Sequence, residues 1–107
     1  MVLLMTITRY PPHKQVEVQN KFFEIDSKYP YDETIMKRIV RLAVRVTPDG
    51  YEVVNIYDIP DGKFTEAFNR TASNLHEYST IEGYTAEIRT YLSGAEAFKI
   101  IGKKIPE

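Results

Sequence analysis

The segment from Ile39 to Thr47 constrains the fold most, because apolar side chains stand at every second position of it. Those apolar positions are Val40, Leu42, Val44 and Val46, and the residues between them are Arg41, Ala43 and Arg45. A period of two is typical of a strand with one buried face. The adjoining Pro48-Asp49-Gly50 predicts a three-residue hairpin loop, after which residues 51–59 return as the next strand.

Another strand and two helices are predicted on either side of this hairpin. Branched and apolar residues predict a first strand over residues 2–10, which ends where Pro11 and Pro12 stop a ladder. Apolar residues spaced three or four apart predict helices over residues 13–28 and 64–78.

The last part of the chain completes the pattern. Alternation returns over residues 84–92, and Ser93 can cap a short helix over residues 94–101. The element order β-α-β-β-α-β predicts a ferredoxin-like α+β fold, in which a four-stranded antiparallel sheet carries both longer helices on one face.

Length and composition narrow the class of protein. A chain of 107 residues fits a single domain over residues 1–107. The net charge of −1 gives no overall field that would recruit nucleic acid or an anionic membrane. Because there is no cysteine, disulfides, thiolate catalysis and cysteine-ligated metals are excluded, and a cytoplasmic location is expected. No apolar run approaches the ~18 residues of a membrane helix, so no membrane contact is expected.

Metal and cofactor sites are not expected. The two histidines lie far apart in the sequence, and the chain contains no acidic calcium loop. Its five glycines stand singly at predicted turns or caps and form no phosphate-binding loop.

The predicted register divides the strand side chains between two faces of the sheet. With Pro48 to Gly50 as the loop, Thr47 pairs with Tyr51, and cross-strand partners share a face. The helices then cover an apolar face with Leu3, Met5, Ile7, Leu42, Val44, Val46, Val54 and Ile56. The opposite, helix-free face gathers Tyr10, Arg41, Arg45, Tyr57, Glu87, Arg89 and Tyr91. Such a mixture suits water, a partner interface, or an anion held beside stacking rings.

The order of elements, the short helix after the last strand and the segment Thr90-Tyr91-Leu92-Ser93-Gly94-Ala95-Glu96-Ala97 resemble the dimeric α/β-barrel superfamily of ferredoxin-like proteins. This superfamily includes antibiotic-biosynthesis monooxygenase-like domains and stress-responsive barrel proteins. The resemblance implies a homodimer in which two sheets meet through their helix-free faces. It also implies a ligand pocket between sheet and helices or at the barrel mouth. It assigns no catalytic residue, because members of the superfamily differ in chemistry.

Three residues are candidates for proton transfer: His13, His76 and Tyr10. Tyr10 and His13 flank two prolines at the end of the first strand, where a general base would be well held. His76 flanks the apolar stripe of the second helix. An exposed loop histidine at position 13 and a partly buried structural histidine at position 76 are the alternatives.

Five residues of the predicted helix-free face are candidates for ligand binding: Arg41, Tyr57, Glu87, Arg89 and Tyr91. Glu87 among arginines can orient a substrate, because nearby cations keep its carboxylate ionised. A structural ion-pair network at a dimer seam is the favoured alternative.

Three functions remain open from the sequence. The first is a homodimer that binds a small aromatic or anionic organic molecule in a cleft between sheet and helices. The second is a non-catalytic structural or interaction module. The third is binding of single-stranded RNA, since Tyr10 and Tyr57 resemble the stacking residues of an RNA-recognition domain. Two features argue against RNA binding. The chain is slightly acidic, and its third strand lacks the glycine-aromatic signature of that family, with Val53-Val54-Asn55-Ile56-Tyr57 in its place.

Overall fold

The computed structural model describes residues 1–106, which form four strands and three α-helices in the predicted order. The elements are β1 (Val2–Tyr10), α1 (Gln15–Lys28), β2 (Lys37–Thr47), β3 (Gly50–Ile59), α2 (Phe64–His76), β4 (Thr85–Leu92) and α3 (Gly94–Ile100). A short 3-10 turn, Pro12–Lys14, precedes α1, and another, Glu77–Thr80, follows α2.

The four strands form one antiparallel sheet in the order β2-β3-β1-β4. β1 and β3 are therefore the central strands, and the two β-α-β crossovers interleave as in a split β-α-β unit. The predicted α+β, ferredoxin-like class is confirmed.

Two apolar clusters join the long helices to one face of the sheet. In the first, Ala67 of α2 packs with Leu4 and Ile59, which are 0% and 1% exposed. In the second, Val18 and Ile25 of α1 pack with residues that follow α2. Complete burial of a leucine or isoleucine side chain contributes about 1.5–3 kcal/mol. These clusters fix both helices against the sheet.

The C-terminal helix α3 begins at the predicted residue, Gly94, and ends at Ile100, one residue earlier than predicted. The Ser93 hydroxyl accepts a hydrogen bond from the Glu96 backbone N–H at 3.2 Å, which satisfies one free donor of the first turn. Gly102 follows the helix with a φ of +72°, a conformation that glycine adopts without strain.

The hairpin between β2 and β3 differs from its prediction by one residue. Thr47 pairs with Gly50 and Val46 with Tyr51, so the turn has two central residues, Pro48 and Asp49. Because side chains alternate with a period of two, this single step exchanges the faces of β3 relative to β2. Val54 and Ile56, predicted to face the helices, lie on the helix-free face, whereas Tyr57 faces the helices.

The faces of β1 are also the reverse of those predicted. Leu4, Thr6, Thr8 and Tyr10 face the helices, and Leu3, Met5 and Ile7 lie on the helix-free face. Both sets contain apolar residues, and the prediction gave the helices the more apolar set. The structure instead places two threonines beneath the helices, at 4% and 6% exposure.

β2 is irregular although its sequence alternates without a break. Its register against β3 shifts between Arg38 and Val40 and again between Val40 and Ala43. At the second shift Arg41 and Leu42 together stand opposite one residue, Asn55, which is the geometry of a β-bulge. Leu42 has a φ of +53°, and its N–H donates to Asn55 Oδ1 at 2.9 Å.

The folded chain is longer and thinner than a typical small domain. Its extents are 50 × 31 × 18 Å and its radius of gyration is 15.6 Å. A compact domain of about 100 residues has a radius of gyration near 13 Å. Among residues 1–106, no helix combines the length and the apolar character needed to cross a bilayer.

Candidate ligand-binding cavity

A cavity of about 470 Å³ lies between the sheet and the helices α1 and α2. Its floor includes Thr6 and Thr8 of β1 and Val53 of β3. Its walls include Val18 and Phe22 of α1 and, from α2 and the turn after it, Thr71, Asn74, Leu75 and Tyr78. The side chains that cover the sheet thus leave room for a molecule larger than water.

Three parallel rings, which we call the tyrosine ladder, line one part of the cavity: Tyr10, Tyr84 and Tyr78. The ring centres of Tyr78 and Tyr84 are 4.5 Å apart with an angle of 6° between the planes. Tyr10 continues the series, 6.2 Å from Tyr84 and inclined by 9°. Stacked rings of this kind stabilise one another and give this part of the cavity an aromatic wall.

Burial raises the pKa of four tyrosines that line this cavity. It raises the pKa of Tyr84 to about 12 and raises the pKa of Tyr78 further. It also raises the pKa of Tyr10 and Tyr57, although Arg38 and Arg41 partly oppose this at Tyr57. At neutral pH these phenols are therefore hydrogen-bond donors and do not act as resident bases.

Two arginines, Arg38 and Arg41, lie on the cavity side of β2 next to Tyr57. The Arg38 guanidinium lies over the Tyr31 ring, 3.8 Å from its centre. Within residues 1–106 neither arginine forms an ion pair, and the buried Nε of Arg38 has no hydrogen-bond partner. Two arginines without carboxylate partners at the edge of a cavity attract an anion.

The other charged residues of the cavity wall are Arg70, Asp32 and Asp26. Arg70 donates to the Pro30 carbonyl oxygen. Asp32 Oδ1 accepts bonds from the backbone N–H and the hydroxyl of Thr34, which lower the pKa of its carboxyl. Asp26 is exposed on α1. Arg38, which is half-buried, and Arg41, which is exposed, are cationic wall residues without an ion pair to residues 1–106.

Two polar groups of α2 lie buried at the cavity without a partner. They are Thr71 Oγ1 and Asn74 Oδ1, and neither forms a hydrogen bond to any residue in the described part of the chain. Thr71 is 6% exposed. Residues three positions apart lie on the same side of a helix, so both groups line the same part of the cavity.

Three of the predicted site residues line this cavity, and the others do not. Tyr10, Arg41 and Tyr57 contribute to its wall. His13, in the 3-10 turn before α1, and His76, at the end of α2, are both exposed and lie outside it. The structure therefore does not bring the two histidines to Tyr10 in one site.

Glu87, Arg89 and Tyr91 lie on the helix-free face, because they pair with Ile7, Met5 and Leu3. The Arg89 guanidinium bonds Glu87 at 2.6 Å and lowers the pKa of its carboxyl. The predicted grouping of these residues with Arg41 and Tyr57 is wrong, since the register of β3 and the bulge in β2 turn those two toward the cavity.

A second ion-pair group on the helix-free face joins three neighbouring strands. Glu52 of β3 contacts Arg9 of β1 at 2.8 Å and Arg45 of β2 at 3.2 Å. The aromatic surface invoked for RNA is not assembled here, since Tyr10 and Tyr57 face the helices.

Several cavity residues were missed by sequence reasoning, namely Thr6, Thr8, Arg38, Asn55, Thr71 and Asn74. The available signal was the pair of threonines, Thr6 and Thr8, next to an apolar stretch of β1. Hydroxyl groups on the covered face of a central strand indicate either a buried hydrogen-bond network or a binding cavity. Within residues 1–106, no cluster of three histidine, aspartate or glutamate side chains suits a metal ion.

Comparisons with known proteins give likeness in structure alone. No protein-family model matches the chain, and no curated protein matches it. It is similar to a de novo designed protein, Foldit4, with 16% identity, a TM-score of 0.50, and coverage of 86% of this chain and 96% of that one. It is also similar to a dimeric ferredoxin-like protein from an uncultured marine organism, with 13% identity, a TM-score of 0.52, and coverage of 87% and 94%. Together with the strand order β2-β3-β1-β4, this likeness shows that the chain has the ferredoxin-like fold.

Proposed function

We propose that this protein is a homodimer that binds a small aromatic or anionic organic molecule in the cavity between its sheet and its helices. The observation that carries the proposal is the cavity of about 470 Å³ whose wall includes stacked tyrosines and hydrogen-bonding groups without protein partners. A native core of this size normally fills such space and pairs such groups.

The size and chemistry of the cavity suit a small organic molecule. Ligand pockets usually measure about 300–1,000 Å³ and combine apolar walls with a few placed polar groups. Val18, Phe22 and Val53 supply apolar wall, whereas Thr71 and Asn74 supply polar groups. Tyr10 is the one proton-transfer candidate at the cavity, so binding without catalysis is the simpler form of the proposal.

The helix-free face supports the homodimer. Its centre is apolar, with Leu3, Met5, Ile7, Val54 and Ile56 from the two middle strands. Ion pairs around Glu52 and Glu87 flank this centre, which is the layout of an apolar interface core inside a polar rim. A similar protein of the same fold is described as dimeric. A partner sheet here would thicken a molecule that is only 18 Å across its thinnest dimension.

A cavity-filling substitution tests the ligand proposal. Val53 is 8% exposed on the cavity floor, so Val53→Phe should occupy the space that a ligand needs. Val46→Phe is the matched control, because Val46 is 77% exposed and does not line the cavity. Purified proteins are compared by native mass spectrometry and by thermal shift with a panel of phenols and aromatic acids.

We expect the wild type and Val46→Phe to carry or bind a panel molecule, and Val53→Phe to lose it while keeping its circular dichroism spectrum. Equal binding by all three proteins would place the ligand elsewhere. Absence of any bound or stabilising molecule in the wild type would remove the proposed function.

A further inference from the structure

We propose that the cavity selects a hydroxylated aromatic carboxylic acid, with its carboxylate on Arg38 and Arg41 and its hydroxyl on Thr71 and Asn74. This inference rests on the proposed ligand-binding function and names the chemical class of its ligand.

The carboxylate follows from the two arginines of β2. Arg38 and Arg41 face the cavity beside Tyr57, and neither is paired with a carboxylate of residues 1–106. The bulge that puts Arg41 and Leu42 opposite Asn55 is what turns Arg41 into the cavity. The planar guanidinium matches a carboxylate with two parallel hydrogen bonds, and the buried Arg38 Nε is a donor without a protein acceptor.

The hydroxyl follows from the unpaired groups of α2. Thr71 Oγ1 and Asn74 Oδ1 are both buried without a protein partner. A threonine hydroxyl donates and accepts, and a side-chain amide presents a donor or an acceptor according to how it is turned. A ligand hydroxyl also donates and accepts, so it satisfies both groups in either orientation of the amide. An ammonium group could only donate, and it would also lie in a cavity whose wall carries two arginines without carboxylate partners.

The aromatic ring of the proposed ligand follows from the aromatic and apolar residues of the cavity wall. Tyr78 and Tyr84, stacked on each other, supply aromatic wall, and Val18 and Phe22 of α1 supply apolar wall on the helix side. A flat ring gains both stacking and apolar burial in such a site. A sugar would leave hydroxyl groups unpaired against these apolar walls.

Three probes and four variants test the inference by isothermal titration calorimetry. The probes are 4-hydroxycinnamate, cinnamate, which lacks the hydroxyl, and 4-hydroxycinnamamide, which lacks the carboxylate. The variants are Arg41→Gln with its control Arg45→Gln on the helix-free face, and Asn74→Leu with its control Asn69→Leu on the exposed side of α2.

We expect 4-hydroxycinnamate to bind the wild type about tenfold more tightly than either of the other probes, since an unmatched buried polar group weakens binding by that order. Arg41→Gln should weaken the binding of both acids and leave the amide unchanged. Asn74→Leu should remove the preference for 4-hydroxycinnamate over cinnamate. Both control variants should bind as the wild type does.

Equal affinity for the acid and the amide would overturn the carboxylate assignment, and equal affinity for the hydroxylated and unsubstituted acids would overturn the hydroxyl assignment. In either case an aromatic ligand is still bound, so the proposed function survives. Failure of all three probes, together with a different molecule displaced by Val53→Phe, would overturn this inference and leave the proposed function standing. Failure of the probes without any ligand in the wild type would overturn both.

Discussion

Buried polar side chains between the sheet and the helices distinguish this molecule from an ordinary packed domain. Thr71 Oγ1 and Asn74 Oδ1 lack protein partners in the described part of the chain, as does the Nε of Arg38. Each buried polar group left unpaired costs about 1–3 kcal/mol of stability. These unpaired groups lower the stability of the folded chain. We infer that hydrogen bonds to a bound molecule offset this loss.

The raised pKa of Tyr84 predicts a loss of stability at alkaline pH. Because burial lifts this pKa from 10.0 in the unfolded chain to about 12 in the folded protein, the folded state holds one more proton between these values. The contribution of Tyr84 is fully present below pH 10 and is lost as pH rises to 12. Urea denaturation at successive pH values should show this decline.

Tyr84→Phe is the control for that measurement. It removes the buried ionisable group and keeps the ring, so its stability should fall less steeply above pH 10 than that of the wild type. Ultraviolet absorbance of phenolate should also lose a late-titrating component in the variant. The same pH dependence in both proteins would contradict the assignment.

The individual site residues were only partly predictable. Tyr10, Arg41 and Tyr57 lie at the cavity, although on the opposite face of the sheet from the one that the sequence predicts. Type alone cannot place a side chain on a face, since that depends on register. His13 and His76 were chosen for proton transfer, and both lie outside the cavity, exposed at the ends of helical segments.

At the scale of elements, strand and helix positions were predictable while their pairing was not. Alternation and helical spacing gave nearly the observed bounds, such as residues 39–47 against Lys37–Thr47 for β2. The loop Pro48-Asp49-Gly50 allows a turn of two or of three residues, and these choices produce opposite faces. Apolar and other residues alternate without a break through Arg41 and Leu42, so the sequence pattern does not predict the bulge there.

Gly50 fixes the junction between this hairpin and the end of β1. It has a φ of +139°, and an added Cβ would overlap the Tyr10 carbonyl oxygen and lie 3.0 Å from the Pro11 Cα. Backbone atoms cannot move aside as a flexible side chain can. We expect Gly50→Ala to lower the free energy of unfolding by about 2–4 kcal/mol, measured by urea denaturation.

Gly62→Ala is the control that shows how much of the stability loss comes from a positive φ alone, without the overlap with β1. Gly62 has a φ of +82° and no atom within 4 Å of an added Cβ, so the substitution should cost about 1 kcal/mol. Similar losses in the two variants would mean that the contact with β1 contributes nothing.

At the scale of the whole molecule, the sheet has helices on one face and an apolar centre on the other. The order of elements was sufficient to predict this two-layer arrangement, because right-handed β-α-β crossovers place both helices on the same side. Which residues the bare face carries could not be predicted, since both sets of β1 side chains contain apolar residues.

A lysine on the bare face tests the homodimer. Val54 is half-buried at its centre, so Val54→Lys should place a charge inside the interface and give a particle with the mass of one chain. Light scattering coupled to size-exclusion chromatography measures the mass, and circular dichroism verifies that the variant is folded. Val16→Lys is the matched control, because Val16 is 68% exposed on α1. A wild-type protein with the mass of one chain at all concentrations would contradict the proposal.

The irregular course of β2 has a consequence for how far such association can extend. This strand lies at the border of the sheet, where an even row of free N–H and C=O groups would act as a template for any extended chain. Two register shifts within a few residues, and the left-handed backbone of Leu42, interrupt that row. Growth into ribbons or fibrils along this border is thereby disfavoured.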